Sequence, residues 1–150
     1  MKTVIFDLDG TLAIIDERRD RARLPNGKMD WKVFFAPENI SLDLPNNPVI
    51  ETFKTFKDAG YNMVIFSGRG KETIEATWTW LDQYGINPDG GLFMREIKDY
   101  RPDEVLKLEW MNERFPDRSE ILGIFDDRNK VVDMWREEGF TCFQVENGDF

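Results

Sequence analysis

The sequence predicts an α/β fold in which a mainly parallel five-stranded sheet is covered on both faces by helices. Two patterns carry that expectation. Short apolar runs alternate five times with helix-period segments, and polar groups able to do chemistry follow four of the runs: Asp7-x-Asp9, Ser67, Lys107 and Asp126-Asp127. Alternation of this kind reads as parallel strands joined by right-handed crossovers. The carboxyl ends of such strands lie along one edge, where open α/β sheets keep their sites. Residues 1–150 read as one domain, long enough to bury a core.

The first strand is the apolar run Val4-Ile5-Phe6, ending in Asp7-Leu8-Asp9-Gly10-Thr11. Alternate residues of a strand share a face, so Asp7 and Asp9 leave it pointing the same way, and Gly10 permits a sharp turn. Ala13 to Asn46 shows no clean period. It holds the arginines 18, 19, 21 and 23 and the aromatic group Trp31, Phe34, Phe35. A connection this long inside a compact domain reads as a lid or substrate loop. A helix is expected from Asn47 as N-cap, with Pro48 in its first turn, to about Ala59. The second strand, 61–66, should stop at a Ser67-Gly68 turn, and Lys71 to Tyr84 should be a helix burying Ile74, Thr77, Trp78 and Leu81. Residues 92–94 form the third strand, and a helix starts at Pro102 with acids in its first turn. The fourth strand, 121–125, ends in Asp126-Asp127. An amphipathic helix around Val131, Val132 and Trp135 and a last strand at 140–145 complete the chain.

Composition narrows the chemistry. Hydrophobic residues at 41% and charged ones at 33% fit a soluble globular protein, and no run of apolar residues is long enough to span a membrane. The opening residues lead straight into the first strand, which leaves no room for a signal peptide. The single Cys142 fits a reducing cytoplasm. With no His in the chain, acid–base work falls to carboxylates, Lys or Tyr. A net charge of −9 argues against an extended nucleic-acid groove, although a polynucleotide end could enter through a local basic patch. It also suits a cluster of carboxylates around a divalent cation.

Taken singly, each motif has a plain reading. Ser67-Gly68 is a turn, Lys107 a solvated helix lysine, and Asp126-Asp127 a helix cap with an acidic neighbour. Their recurrence after successive strands is what makes the set specific. On these motifs the chain resembles the haloacid dehalogenase (HAD) superfamily of phosphohydrolases. It is similar in particular to the 3′-phosphatase domains of bacteriophage-type polynucleotide kinase/phosphatases. The closer likeness lies in Val64-Ile65-Phe66-Ser67-Gly68-Arg69, Met94-Arg95, Arg101-x-Asp103-x-Val105-x-Lys107, and the tail from Asp126-Asp127-Arg128 to Gly148-Asp149-Phe150. The phosphate loop of a kinase half is absent from the sequence.

The resemblance implies a Rossmann-like three-layer α/β/α sandwich with a small or minimal cap. It implies a Mg²⁺-dependent phosphomonoesterase working through an aspartyl-phosphate, with nucleotide or polynucleotide 3′-phosphates as substrate. Asp7 would be the nucleophile and Asp9 the proton donor and acceptor. Ser67 and Lys107 would stabilise the phosphoryl group. Mg²⁺ would be held by Asp7, the backbone carbonyl of Asp9 and Asp126, with Asp127 an essential neighbour, either an outer metal contact or a partner of a neighbouring N–H. Arg18, Gly68, Arg69 and Arg95 would bind substrate, and a separate kinase or ligase would be a fitting partner. The setting would be the cytoplasm, including that of a phage-infected host. Other classes fit the sequence too: a 5′-nucleotidase or small-metabolite phosphatase, a phosphotransferase, or a non-catalytic binding subunit. The oligomeric state is left open.

Overall fold

The computed structural model describes residues 1–150. Its centre is β1 (Thr3–Phe6), buried along its whole length. The chain then makes a side excursion: β2 (Ala13–Ile14), α1 (Asp16–Ala22), α2 (Trp31–Phe34), α3 (Pro37–Ile40) and β3 (Leu44–Pro45). After it come α4 (Asn47–Asp58), β4 (Asn62–Gly70), α5 (Ile74–Gln83), β5 (Gly91–Arg95), α6 (Asp103–Arg114), β6 (Ile121–Asp126), α7 (Asn129–Glu137) and β7 (Cys142–Gln144). The main sheet runs β5-β4-β1-β6-β7, every neighbouring pair parallel.

Side-chain alternation splits this sheet between two cores. From β1, Val4 and Phe6 face one way and join Phe53 of α4 and Trp80 and Leu81 of α5. Ile5 faces the other way and joins Met111 of α6 and Val131, Val132 and Trp135 of α7. Strands buried on both faces read as continuous apolar runs, which is why β1, β4 and β6 were recognisable. The three-layer α/β/α architecture is therefore as expected. No helix is long and apolar enough to cross a membrane.

Several local expectations are corrected. The residue capping α4 is Asn46, not Asn47, and its side-chain amide is spent on the Thr11 carbonyl at 2.9 Å. Ser67-Gly68 is not a turn, because β4 continues to Gly70, with its register against β5 breaking between Ser67 and Gly70. The helix expected from Lys71 opens with a 3₁₀ turn, Lys71–Thr73, before α5. Its buried face turns toward Thr77, Trp80 and Leu81, leaving Ile74 exposed and Trp78 half-buried. Trp80 goes inward because its indole N–H donates to the Asp43 carbonyl at 3.0 Å, under the excursion. The last strand is shorter than expected, at Cys142–Gln144.

The excursion at 13–46 leaves and rejoins the sheet through a small antiparallel ribbon, β2 with β3, pairing Ala13 with Pro45. Its helices are only four to seven residues long, too short for a 3.6-residue period to declare itself.

Phe53 is fully buried and packs edge-on against Phe6 at 5.2 Å. Phe53→Ala should lower unfolding stability by about 3–5 kcal/mol, read from urea denaturation.

Candidate active site

The carboxyl ends of β1, β4 and β6 deliver the polar groups. The Asp7 N–H donates to the Phe125 carbonyl at 2.9 Å, carrying the β1–β6 ladder one residue past the strand. The chain then folds back, with the N–H groups of Thr11 and Ala13 donating to the Leu8 carbonyl. Gly10 makes this possible at φ +81°, and a Cβ there would fall 2.0 Å from Asp127 Oδ2. The reversal thus lets Asp127 stand against the first loop.

Lys107 comes from the buried face of α6, and its ammonium donates to Asp7 Oδ1 and to Asp126 Oδ2, both at 2.9 Å. Thr11 Oγ1 lies 3.4 Å from both Asp7 Oδ2 and Asp127 Oδ1 and donates to one at a time. The Asp127 N–H donates to Asp126 Oδ1 at 2.8 Å. Asp7, Asp126, Asp127 and Lys107 are all buried. One carboxylate oxygen from each of the three acids lies within 4.8 Å of the others. Three buried carboxylates against one ammonium leave negative charge uncompensated.

Burial raises the Asp7 carboxyl well above its ordinary value, Asp126 adds to the effect, and Lys107 only partly relieves it. Asp127 is pushed up to about 6 by burial and then by Asp126. Burial works against the Lys107 charge, but Asp126 and Asp7 outweigh it and hold the ammonium above its usual range. This all-oxygen, electron-rich donor set fits a small hard divalent cation such as Mg²⁺.

Asp9 belongs to a different assembly. Its Oδ1 accepts from Arg18 Nη2 at 2.7 Å and from Arg69 Nε and Nη2 at 2.9 and 2.6 Å. The same two guanidiniums reach Asp43, whose carboxylate accepts from Arg18 Nε at 3.1 Å, Arg18 Nη2 at 2.8 Å and Arg69 Nη2 at 3.0 Å. Arg18 Nη1 donates to the Phe34 carbonyl and Arg69 Nη1 to Thr77. Burial alone would raise the Asp9 carboxyl, yet Arg69 and Arg18 hold it far below the ordinary carboxylate range. Asp43 is raised to about 6, because burial outweighs the pull of Arg18.

Arg18 and Arg69, expected to bind substrate, face protein acceptors in this structure. Both are buried, with their N–H groups directed to protein acceptors. The Asp9 carboxylate likewise faces these arginines and stands outside the three-acid group. Ser67 is buried within β4, where the register against β5 breaks, its Oγ accepting from the Arg69 N–H at 3.2 Å. Arg95 grips the Gly68 carbonyl through Nε at 3.1 Å and pairs with Asp103, which also accepts from Arg128 at 3.1 Å. A Cβ at Gly68 would meet Asp103 at 2.7 Å, so the glycine lets that ion pair close over β4.

Four residues of this surround were not singled out from the sequence for the parts they take: Thr11, Asp43, Asp103 and Arg128. Thr11, Asp103 and Arg128 stood within quoted motifs. Asp43 had no local signal, lying 25 positions from one arginine partner and 26 from the other.

Comparison with known proteins agrees with this geometry. The family described as "Polynucleotide kinase PNKP phosphatase domain" matches residues 1–150. A protein of Autographa californica nuclear polyhedrosis virus, named "Putative bifunctional polynucleotide kinase/RNA ligase", is 29% identical over 137 residues, covering 91% of this chain and 18% of its own. A chain in the structure of the Pnkp1/Rnl/Hen1 RNA repair complex is 38% identical with a TM-score of 0.82, over 99% of this chain and 43% of that one. A haloacid dehalogenase-like hydrolase from Streptococcus pneumoniae shares the fold at 12% identity and a TM-score of 0.68, over 96% of this chain and 84% of its own. The chain thus spans less than half of the length of its viral and repair-complex relatives.

Asp43→Ala should leave two buried guanidiniums facing one carboxylate. Thermal or urea denaturation should show a loss of about 3 kcal/mol, the scale of removing one partner from a buried pair.

Proposed function

The chain belongs to the polynucleotide kinase PNKP phosphatase domain family, and we propose that it is a Mg²⁺-dependent phosphomonoesterase for nucleotide or polynucleotide 3′-phosphates, working through an aspartyl-phosphate. The observation that carries this reading is the buried constellation in which Lys107 bridges Asp7 and Asp126 beside Asp127. In this reading residues 1–150 make one phosphatase domain, with 13–46 as its lid.

Asp7 attacks phosphorus in line with the leaving oxygen. A bond forms from its carboxylate to phosphorus as the bond to the 3′ oxygen breaks. A phosphate monoester carries negative charge, so the approach of a carboxylate needs compensation. Lys107 supplies one fixed positive charge 2.9 Å from Asp7. Asp7, Asp126 and Asp127, with the backbone carbonyl of Asp9, would hold Mg²⁺, which when bound offsets carboxylate charge and polarises the phosphoryl group. Ser67 and the backbone N–H groups around Gly68 bind the phosphoryl oxygens.

Asp9 serves both half-reactions. Arg18 and Arg69 favour its deprotonated form, which suits the second half, where a base takes a proton from the water that releases inorganic phosphate. In the first half Asp9, turned from the guanidiniums and carrying a proton, gives that proton to the leaving alkoxide, and the proton it takes from water in the second half restores it. A kinase or ligase, as partner or as a further part of the polypeptide, would use the resulting 3′-hydroxyl. The viral relative's printed name and the repair-complex relative support that setting. The cytoplasm, including that of an infected cell, is the compartment that fits.

Phosphate release with Mg²⁺ should be compared for a 3′-phosphorylated oligonucleotide, a 3′-mononucleotide and a 5′-mononucleotide. We expect the 3′-phosphates to be preferred, and Asp7→Asn or chelation to abolish turnover. Preference for the 5′-mononucleotide would overturn the substrate assignment.

A further inference from the structure

The connection from β5 to α6, residues 96–102, lies on the same carboxyl edge of the sheet as the candidate site. It is pinned to that site. Arg95 holds the Gly68 carbonyl with Nε while its Nη1 donates to two carbonyls in this connection, those of Asp99 and Arg101. The Arg101 side chain folds back on Asp99 and on Glu109 of α6. Lys98 sits at φ +66°, the one non-glycine residue in the left-handed region. A lysine there is held by its surroundings against a local cost.

What this rigid connection presents is Tyr100. It is 88% exposed, the most exposed aromatic side chain of the protein. Of the three tyrosines, Tyr61 and Tyr84 each pack on another ring and Tyr100 on none. Lys98, two positions earlier in the chain, is exposed. A free aromatic face with a nearby cation, rigidly held, is the combination that binds a nucleobase and the adjoining phosphodiester. We propose that Tyr100 is a stacking platform for the base of the substrate's 3′-terminal nucleotide, so that the 96–102 connection makes the enzyme read nucleotide ends. This rests on the 3′-phosphate reading above. Trp31, 61% exposed on the lid and backed by Phe34 and Phe35, is the rival platform.

The test compares two 3′-phosphorylated oligonucleotides that differ only in whether the terminal nucleotide carries its base. For the complete substrate, Tyr100→Ala should raise KM roughly tenfold, the scale of one lost base stack. It should leave the base-free substrate unchanged, and Tyr100→Phe should retain wild-type values. Unchanged KM for both substrates in Tyr100→Ala would overturn the platform. So would a base-dependent loss found in Trp31→Ala instead. If the wild-type protein turns over neither oligonucleotide, the 3′-end reading itself fails and the platform with it.

Discussion

The ammonium of Lys107 stands 2.9 Å from carboxylates on two different strands, and the catalytic edge of this protein is arranged about that charge. Asp7 follows β1, Asp126 ends β6, and Lys107 lies on the inward face of α6. Parallel strand order brings the first two side by side, and the crossover through α6 drops the cation between them. Removing any partner would strand a buried charge, which is far more costly than losing an exposed pair. The same geometry leaves the cluster short of positive charge. That deficit is one a bound divalent cation would offset.

A second charge assembly ties the excursion at 13–46 to the same edge. Arg18 from α1, Asp43 next to β3, Arg69 near the end of β4 and Asp9 meet as two cations and two anions, largely cut off from solvent. Phe34 of α2 packs its ring 4.4 Å under the Arg18 guanidinium. The excursion supplies one of the two guanidiniums that hold Asp9, and Asp43, which braces both of them. Its register against the sheet and the orientation of the acid are set by the same contacts. In the proposed mechanism, stability and catalysis are coupled at this point.

Much of this was legible from the sequence because strand-end motifs are local. An apolar run marks a buried strand, and the acid that follows it is placed by chain continuity alone, as with Asp7 and Asp126. Lys107 was legible only as a member of the set, one helical turn into the helix that follows the third strand. What was hidden depends on long-range pairing. Asp43 sits in a segment whose helices are too short to show a period, and its partners lie in α1 and β4. Arg18 and Arg69 were read as substrate ligands because an arginine near a phosphate site has an obvious use. Only the tertiary structure reveals that carboxylates already occupy them. The inward turn of Trp80 likewise follows from a carbonyl in that excursion, invisible to the periodicity of α5.

The most direct test of the account is to quench the protein in acid during turnover of a phosphomonoester and locate any phosphoryl group by peptide mass spectrometry. The account predicts a phosphorylated peptide carrying Asp7, present in the wild-type protein and absent from Asp7→Asn. Sustained turnover by Asp7→Asn, or a phosphoryl group found on another residue, would contradict it.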